Sequence, residues 1–275
     1  MIFGLSHAFH LRRRAVKHAA SMIPVLTRRC QMSIANILDK CSNVMHAIAN
    51  RVLPQDCHLC GAPSVDALLC DSCDRSLQRI NPMHCPCCAM PSTCRQICGR
   101  CIKRTPNYDA THAALLYEFP ADRLILALKH RNRLPMAGFL ARKLAAAVAS
   151  KAESGIRIDL VIPMPLHRQR LTLRGFNQSV EIGRRVAHQL ALPFSAETTQ
   201  RLRNTPSQAE LPLARRRANV RGAFACSASL SGKSVAVVDD VMTSGATLDA
   251  LAGALKRAGA VHVENWVVAR TWPRE

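Results

Sequence analysis

Two groups of residues in this chain have the types and spacing to do chemistry. The first is the adjacent pair Asp239 and Asp240, followed closely by Thr243, Ser244, Gly245, Ala246 and Thr247. A small, hydroxyl-rich loop with one glycine that leads into a helix offers backbone N–H groups and hydroxyls to an anion. The carboxylates repel phosphate and call for hydroxyls or a cation instead. A ligand with a phosphate, sugar hydroxyls and Mg²⁺ satisfies both halves. No Gly-Lys-Ser/Thr follows the acids, so the loop is not a Walker loop. The second group is eight cysteines in two copies of C-x2-C-x9-C-x2-C: Cys57, Cys60, Cys70 and Cys73, then Cys85, Cys88, Cys98 and Cys101. Two C-x2-C turns bring four thiolates to a tetrahedral Zn²⁺.

The elements that must position these residues follow from the flanking pattern. Residues 234–238 are small or β-branched and uncharged, as in a strand buried on both faces. Beyond the loop, Leu248, Leu251, Leu255 and Ala258 fall at helical spacing, and Gly259 is placed to end that helix. Earlier, residues 111–118 and 158–162 read as strands, and residues 121–130, 136–150 and 178–192 as helices. Residues 261–269 form a last strand. Strands alternating with helices predict a parallel sheet flanked by helices, with ligands at the C-terminal strand ends. The acid pair lies at one such end. So does the loop after Ile162, where Pro163 and Pro165 stiffen the chain, Leu166 follows, and His167, Arg168, Arg170 and Arg174 supply cations before Gly175. That loop suits a second phosphate group; a solvated charged face is the alternative. A third segment, 201–223, is long and basic. Arg203, Thr205, Gln208 and Arg216 lie in it, and it reads as a lid over a polyanion, with helical propensity over 209–219.

The cysteine repeat extends to its flanks, since Gly61 matches Ala89, Pro63 matches Pro91, and Ser64 matches Ser92 at the same offset. The repeat predicts one or two structural zinc ions, which supply folding free energy to a module too small for its own core. Four pairs in repeat are unlike a redox C-x2-C arrangement. Cys87 and Cys94 fall outside the repeat, as spare thiols or competing ligands. His58 and His84 are further potential ligands, and Cys30, Cys41 and Cys226 are read as unliganded.

Of 275 residues, 38 are Lys or Arg and 18 Asp or Glu, a formal charge of +20. Two Zn(Cys)₄ sites would reduce this to about +16. The excess favours polyanionic partners. The 4% aromatic content argues against a broad base-stacking platform. No signal peptide and no run of about 18 apolar residues is present, so a cytoplasmic protein without a membrane span is expected. The organisation expected is a basic, partly helical or disordered extension over 1–52, a double zinc ribbon over 53–106, and an α/β domain over 107–275.

The run from Val235 to Thr247 resembles the phosphoribosyl pyrophosphate (PRPP) signature of type I phosphoribosyltransferases. Taken with the cysteine repeat, Arg174-Gly175-Phe176-Asn177-Gln178, the Arg203-Asn204-Thr205 to Gln208 motif, and Arg216-Arg217 with Asn219-Val220, the chain resembles the ComF family. That resemblance implies a double zinc ribbon joined to a type I phosphoribosyltransferase fold. It implies PRPP, or a related phosphorylated sugar, bound with Mg²⁺: Asp239 and Asp240 on the ribose hydroxyls, residues 243–247 on the 5′-phosphate, and Pro165 to Arg174 on the pyrophosphate. It further implies an association with DNA uptake in competence. Phosphoribosyl transfer is one expectation. The other is a non-catalytic module for single-stranded DNA or a competence helicase. No catalytic residue is legible.

Overall fold

The computed structural model describes residues 55–64, 68–131, 134–150, 156–205 and 216–272. The expected extension over 1–52 and the motif residue Gln208 lie outside them, as does the side chain of Arg216. Residues Gln55–Glu275 form one unit.

A four-stranded sheet organises this unit: β3 (Ala110–Leu116), β4 (Leu160–Pro163), β7 (Ser234–Met242) and β8 (His262–Arg270). Its order is β3-β8-β7-β4, and every pairing is parallel. The central strand β7 has the predicted uncharged run, and successive residues bury to opposite faces. Ala236 and Val238 join one core with α4 (Leu134–Ala149) and α6 (Gln178–Gln189), through Leu140, Leu144 and Ile182. Val235 and Val237 join a second core with α8 (Ala246–Arg257), through Leu248, Leu251 and Leu255. The sheet is thus covered on both faces, as a parallel sheet requires.

The strand β7 does not stop at Val238, as the loss of apolar residues suggests. It continues through both acids to Met242, because β8 accompanies it as far as the pair Met242↔Arg270, while its pairing with β4 ends at Pro163↔Val238. The acids therefore stand on a rigid strand beside the mouth of the next loop. That loop also departs from expectation. After Pro163 the chain turns and folds into a helix, α5 (Arg168–Arg174), capped by His167, whose Nδ1 accepts from Gln169 N at 3.3 Å. Gly175, at φ 80, ends α5 in the left-handed region that glycine occupies without cost. Between α6 and β7 lies a short antiparallel pair, β5 (Thr199–Arg201) and β6 (Phe224–Cys226), which brackets the basic segment; α7 (Arg216–Val220) lies within that segment.

The cysteine-rich region begins with β1 (Gln55–Asp56) and β2 (Pro63–Ser64), and includes α1 (Asp71–Arg75) and α2 (Gly99–Lys103). Its two halves do not share one core. Cys57, Leu69 and Leu77 pack into the α4–α6 side, whereas Cys85, Cys88 and Cys101 pack into the α8 side. The linking segment lies along the edge strand β3: Leu116 N donates to Gln78 O at 2.8 Å and Ile80 N to Ala114 O at 3.4 Å. The opposite edge is also covered. Val161 N donates to Pro193 O and Ser195 N to Val161 O, at 2.8 and 3.0 Å. The helix α3 (Ala121–Arg131) follows β3 and carries Leu124, Ile125 and Leu128 into the first core.

Near the start of β8, a buried carboxylate is hydrogen-bonded within the sheet. Glu264 receives Trp266 Nε1 at 2.8 Å and faces His112 Nε2 and His262 Nε2, each at 3.2 Å. Burial raises its pKa, but the bonds to His112, Trp266 and His262 outweigh that and hold it down at about 2.

Candidate phosphate and metal sites

The acid pair is built from three elements. Asp239 Oδ1 accepts from Ser179 Oγ on α6 at 3.0 Å and from Asp240 N at 2.9 Å. Asp240 forms an ion pair with Lys129 on α3, Nζ to Oδ2 at 2.9 Å, with side-chain exposures of only 21% and 6%. Burial and then the charge of Asp240 push the Asp239 carboxyl up to about 7. Burial lowers the pKa of Lys129, and the Asp240 charge more than restores it, so the net shift is upward. Sequence reasoning did not single out Lys129. It is one lysine of an amphipathic helix, and nothing local announces a partner on a distant strand.

The loop after the acids turns at Gly245, which sits at φ 79 and serves as the N-cap of α8 with no side-chain cap bond of its own. A β-carbon there would lie 2.7 Å from Met242 Cε and 3.0 Å from Tyr108 Oη. Ser244 Oγ accepts from Ala246 N at 3.3 Å. Residues 243–247 thus form the opening of a twelve-residue helix, with its first N–H groups directed outward along the axis.

The second loop sits beside this one, since Met164 N donates to Val238 O at 2.8 Å. Pro165 is buried and Leu166 half-buried, while Arg168 is exposed. The Arg-Gly-Phe-Asn-Gln motif ties the loop to the acids. Asn177 Nδ2 donates to Met164 O at 3.0 Å, Asn177 Oδ1 caps α6 at Ser179 N, and Ser179 holds Asp239. Arg174 donates to Gln178 Oε1 at 2.7 Å. The start of the third segment docks on α5. Arg170 Nη2 donates to Thr205 O, and Arg201 Nη2 to Thr205 Oγ1, both at 2.6 Å; Asn204 Nδ2 donates to Gln169 Oε1. Arg203 donates to Arg221 O at 2.6 Å and is exposed. Arg201 is buried, its Nε has no hydrogen-bond partner among the described residues, and its pKa is lowered by burial and then by Arg170. Two guanidinium groups side by side with an unfilled donor make a place that favours an anion.

The structure thus brings together Asp239, Asp240, the 243–247 loop, the 165–174 segment and Thr205. A cleft of about 610 Å³ lies elsewhere, between α1, β3 and α4, lined by Asp74, His112, Phe139 and Lys143 among others, and includes no residue of the acid pair or its loop.

Both cysteine sets converge. In each, all four Sγ atoms lie within 4.8 Å of one another. Cys60 and Cys70 are 3.7 Å apart, Cys88 and Cys98 3.6 Å. A tetrahedral zinc with bonds of about 2.3 Å requires sulfurs about 3.8 Å apart, so both donor sets fit zinc. Cys98 N donates to Cys85 Sγ at 3.3 Å, an outer-sphere bond that orients a ligand sulfur. The matched residues Gly61 and Ala89 both take positive φ, 73 and 54, in the turn after each first C-x2-C. Cys87 and Cys94 belong to neither set: Cys87 is buried with Sγ 3.9 Å from Tyr108 O, and Cys94 is exposed. His58 and His84 also lie outside both sets.

Comparison with known proteins now adds to this geometry. A double zinc ribbon domain family model matches residues 48–102. The DNA utilization protein YhgH of Salmonella typhimurium is 32% identical over 252 residues, covering 90% of this chain and 98% of that protein. Competence protein F of Haemophilus influenzae is 30% identical over 174 residues, covering 62% of this chain and 76% of its own. This is a double zinc ribbon protein with a parallel sheet flanked by helices. It belongs to the ComF family, which includes YhgH and competence protein F. Among solved structures, a purine phosphoribosyltransferase from Pyrococcus horikoshii Ot3 overlaps with a TM-score of 0.29 at 19% identity, covering 60% of this chain and 94% of its own. A glutamine PRPP amidotransferase from B. subtilis overlaps with a TM-score of 0.31 at 23% identity, covering 47% of this chain and 25% of its own. Among the described residues, no helix is long and apolar enough to cross a membrane.

Proposed function

We propose that this protein binds PRPP, or a closely related phosphorylated sugar, together with Mg²⁺, and that the site is arranged for transfer of the phosphoribosyl group. The carrying observation is the juxtaposition, on one strand end, of an acid pair, Asp240 buried and Asp239 half-buried, and a helix-opening anion loop. Residues 243–247 receive the 5′-phosphate, and Asp239 and Asp240 receive the ribose hydroxyls. Arg168 and Arg174, with Arg170 and Arg201 behind them, face the pyrophosphate. Lys129 already occupies one oxygen of Asp240. Mg²⁺ therefore fits best when held through substrate oxygens, with Asp239 and Asp240 orienting the sugar. Its chemistry there is neutralisation of the leaving pyrophosphate. The chain itself contributes positioning and a converging positive field.

Calorimetric titration with PRPP in the presence of Mg²⁺ tests the reading. Saturable binding that Asp240→Asn weakens at least tenfold is expected. Absence of heat from the zinc-loaded protein refutes it. Single-stranded DNA is a second ligand, favoured by the exposed Arg168, Arg203 and Arg221 around the same mouth. It predicts a mobility shift that weakens steeply with salt and is competed by PRPP. No shift at low salt removes it. A helicase partner and cytoplasmic location accompany this reading as part of the same proposal.

A further inference from the structure

The second zinc site and the phosphate loop are joined by a set of hydrogen bonds. Arg270, at the end of β8 and 1% exposed, bridges them. Its Nε donates to Cys88 O at 2.9 Å. Its Nη1 donates to Met242 O at 2.9 Å and Thr243 O at 2.5 Å. Arg100 lies between the zinc ligands Cys98 and Cys101, and its Nη2 donates to Ser244 O at 2.5 Å. Trp272 Nε1 donates to Ala89 O at 2.9 Å, in the turn just after the Cys85–Cys88 pair. Just beyond the ribbon, Asn107 N and Nδ2 both bond Asp249 Oδ1 in the first turn of α8, at 2.7 and 2.8 Å.

The consequence is directional. The carbonyls of residues 242, 243 and 244 are all taken by guanidinium groups on the ribbon side. With those oxygens held, the peptide units of the loop are fixed, and the two cations strengthen the positive end that an anion meets. Among the described residues no carboxylate pairs with Arg270, and its Nη2 has no hydrogen-bond partner. A zinc ion held by four thiolates carries −2. That cluster would be a countercharge close to both arginines. Zinc held by Cys85, Cys88, Cys98 and Cys101 would fix the Cys88 carbonyl, place Arg100 and compensate Arg270. The Cys57 set packs into the opposite core.

We infer that the second zinc site is energetically coupled to the phosphate loop through Arg270 and Arg100, so that its zinc and the phosphate-bearing ligand each tighten the other's binding. This rests on the site reading proposed above. Linkage makes the coupling reciprocal, by one factor in both directions, for which about tenfold is a central expectation.

The test uses the full chain loaded with zinc. Zinc release to a chromophoric chelator is followed with and without PRPP and Mg²⁺, and PRPP binding is measured by calorimetry on the wild type, Arg100→Ala and Arg270→Lys. One of two release phases should slow about tenfold with PRPP while the other stays unchanged. In cadmium-substituted protein, one of two NMR resonances should shift on adding PRPP. Both variants should bind PRPP about tenfold more weakly, and in both the responsive phase should become insensitive to PRPP. A merely structural role would leave that sensitivity intact in whatever fraction folds. If PRPP binds the wild type but neither release phase responds, the coupling is overturned while the site reading stands. If PRPP does not bind the zinc-loaded wild type, both are overturned.

Discussion

Replacing Lys129 with methionine keeps the stem of the side chain and removes its charge, leaving two adjacent carboxylates without a cation. At 2.9 Å, the gross attraction in a medium of effective dielectric constant near 20 is about 6 kcal/mol, before desolvation is subtracted. Breaking a buried pair by deleting one partner costs about 3–5 kcal/mol. Lys129 retains 21% exposure, so water can partly solvate the orphaned Asp240. A loss of about 2–3 kcal/mol at pH 8 is expected, or roughly 5–10 °C in melting temperature for a domain of this size. The penalty has a definite pH dependence. Asp239 already titrates near 7 with the lysine present. Without it the pair can shed its repulsion by taking up a proton, so the loss at pH 5 should shrink to about 1 kcal/mol. Urea unfolding of Lys129→Met, Asp240→Asn and the double variant at pH 5 and 8 measures this. The double variant should recover most of the single-site loss. A Lys129→Met protein within about 0.5 kcal/mol of wild type at pH 8, or an equal penalty at both pH values, would refute the reasoning.

Gly245→Ala should cost about 1–2 kcal/mol in urea unfolding, through positive φ. It should also weaken PRPP at least tenfold, because its β-carbon meets Met242 and Tyr108; unchanged affinity would contradict the loop assignment. In the wild type, Asp239 has its folded pKa raised from 3.8 to about 7. Between those values the native state holds a proton that the unfolded chain has released. Its contribution therefore makes stability fall as pH rises from about 4 to 7, and Asp239→Asn should flatten that slope. Metal analysis should give two zinc ions per chain. A strong chelator should lower thermal stability steeply, because both cysteine sets extend into the main cores.

The zinc sets and the acid loop were legible in the sequence because each is a local pattern with its own spacing. The apolar run of β7 was equally plain, but its true end was not. Strand length there is set by how far β8 runs alongside, and the acids interrupt the apolar pattern because their partners, Ser179 and Lys129, come from distant helices. The helix α5 was hidden for a related reason. It has no apolar face to bury, and Leu173 is 88% exposed; its cap at His167 and its stop at Gly175 define it instead. Strands β5 and β6 are three residues each, too short for any period. Lys129, Arg201 and Arg270 gain their roles from partners brought close by the fold, so no window along the chain could nominate them.

The covering of both sheet edges has a consequence for dissecting this protein. An open parallel strand presents a row of unpaired donors and acceptors to any other chain. Here the 78–80 segment occupies that row on β3, and the 193–195 segment does so on β4. A fragment beginning at the α/β portion would bare β3 along its length. It would self-associate edge to edge, and the loss would be read as poor solubility when its origin is a missing backbone partner.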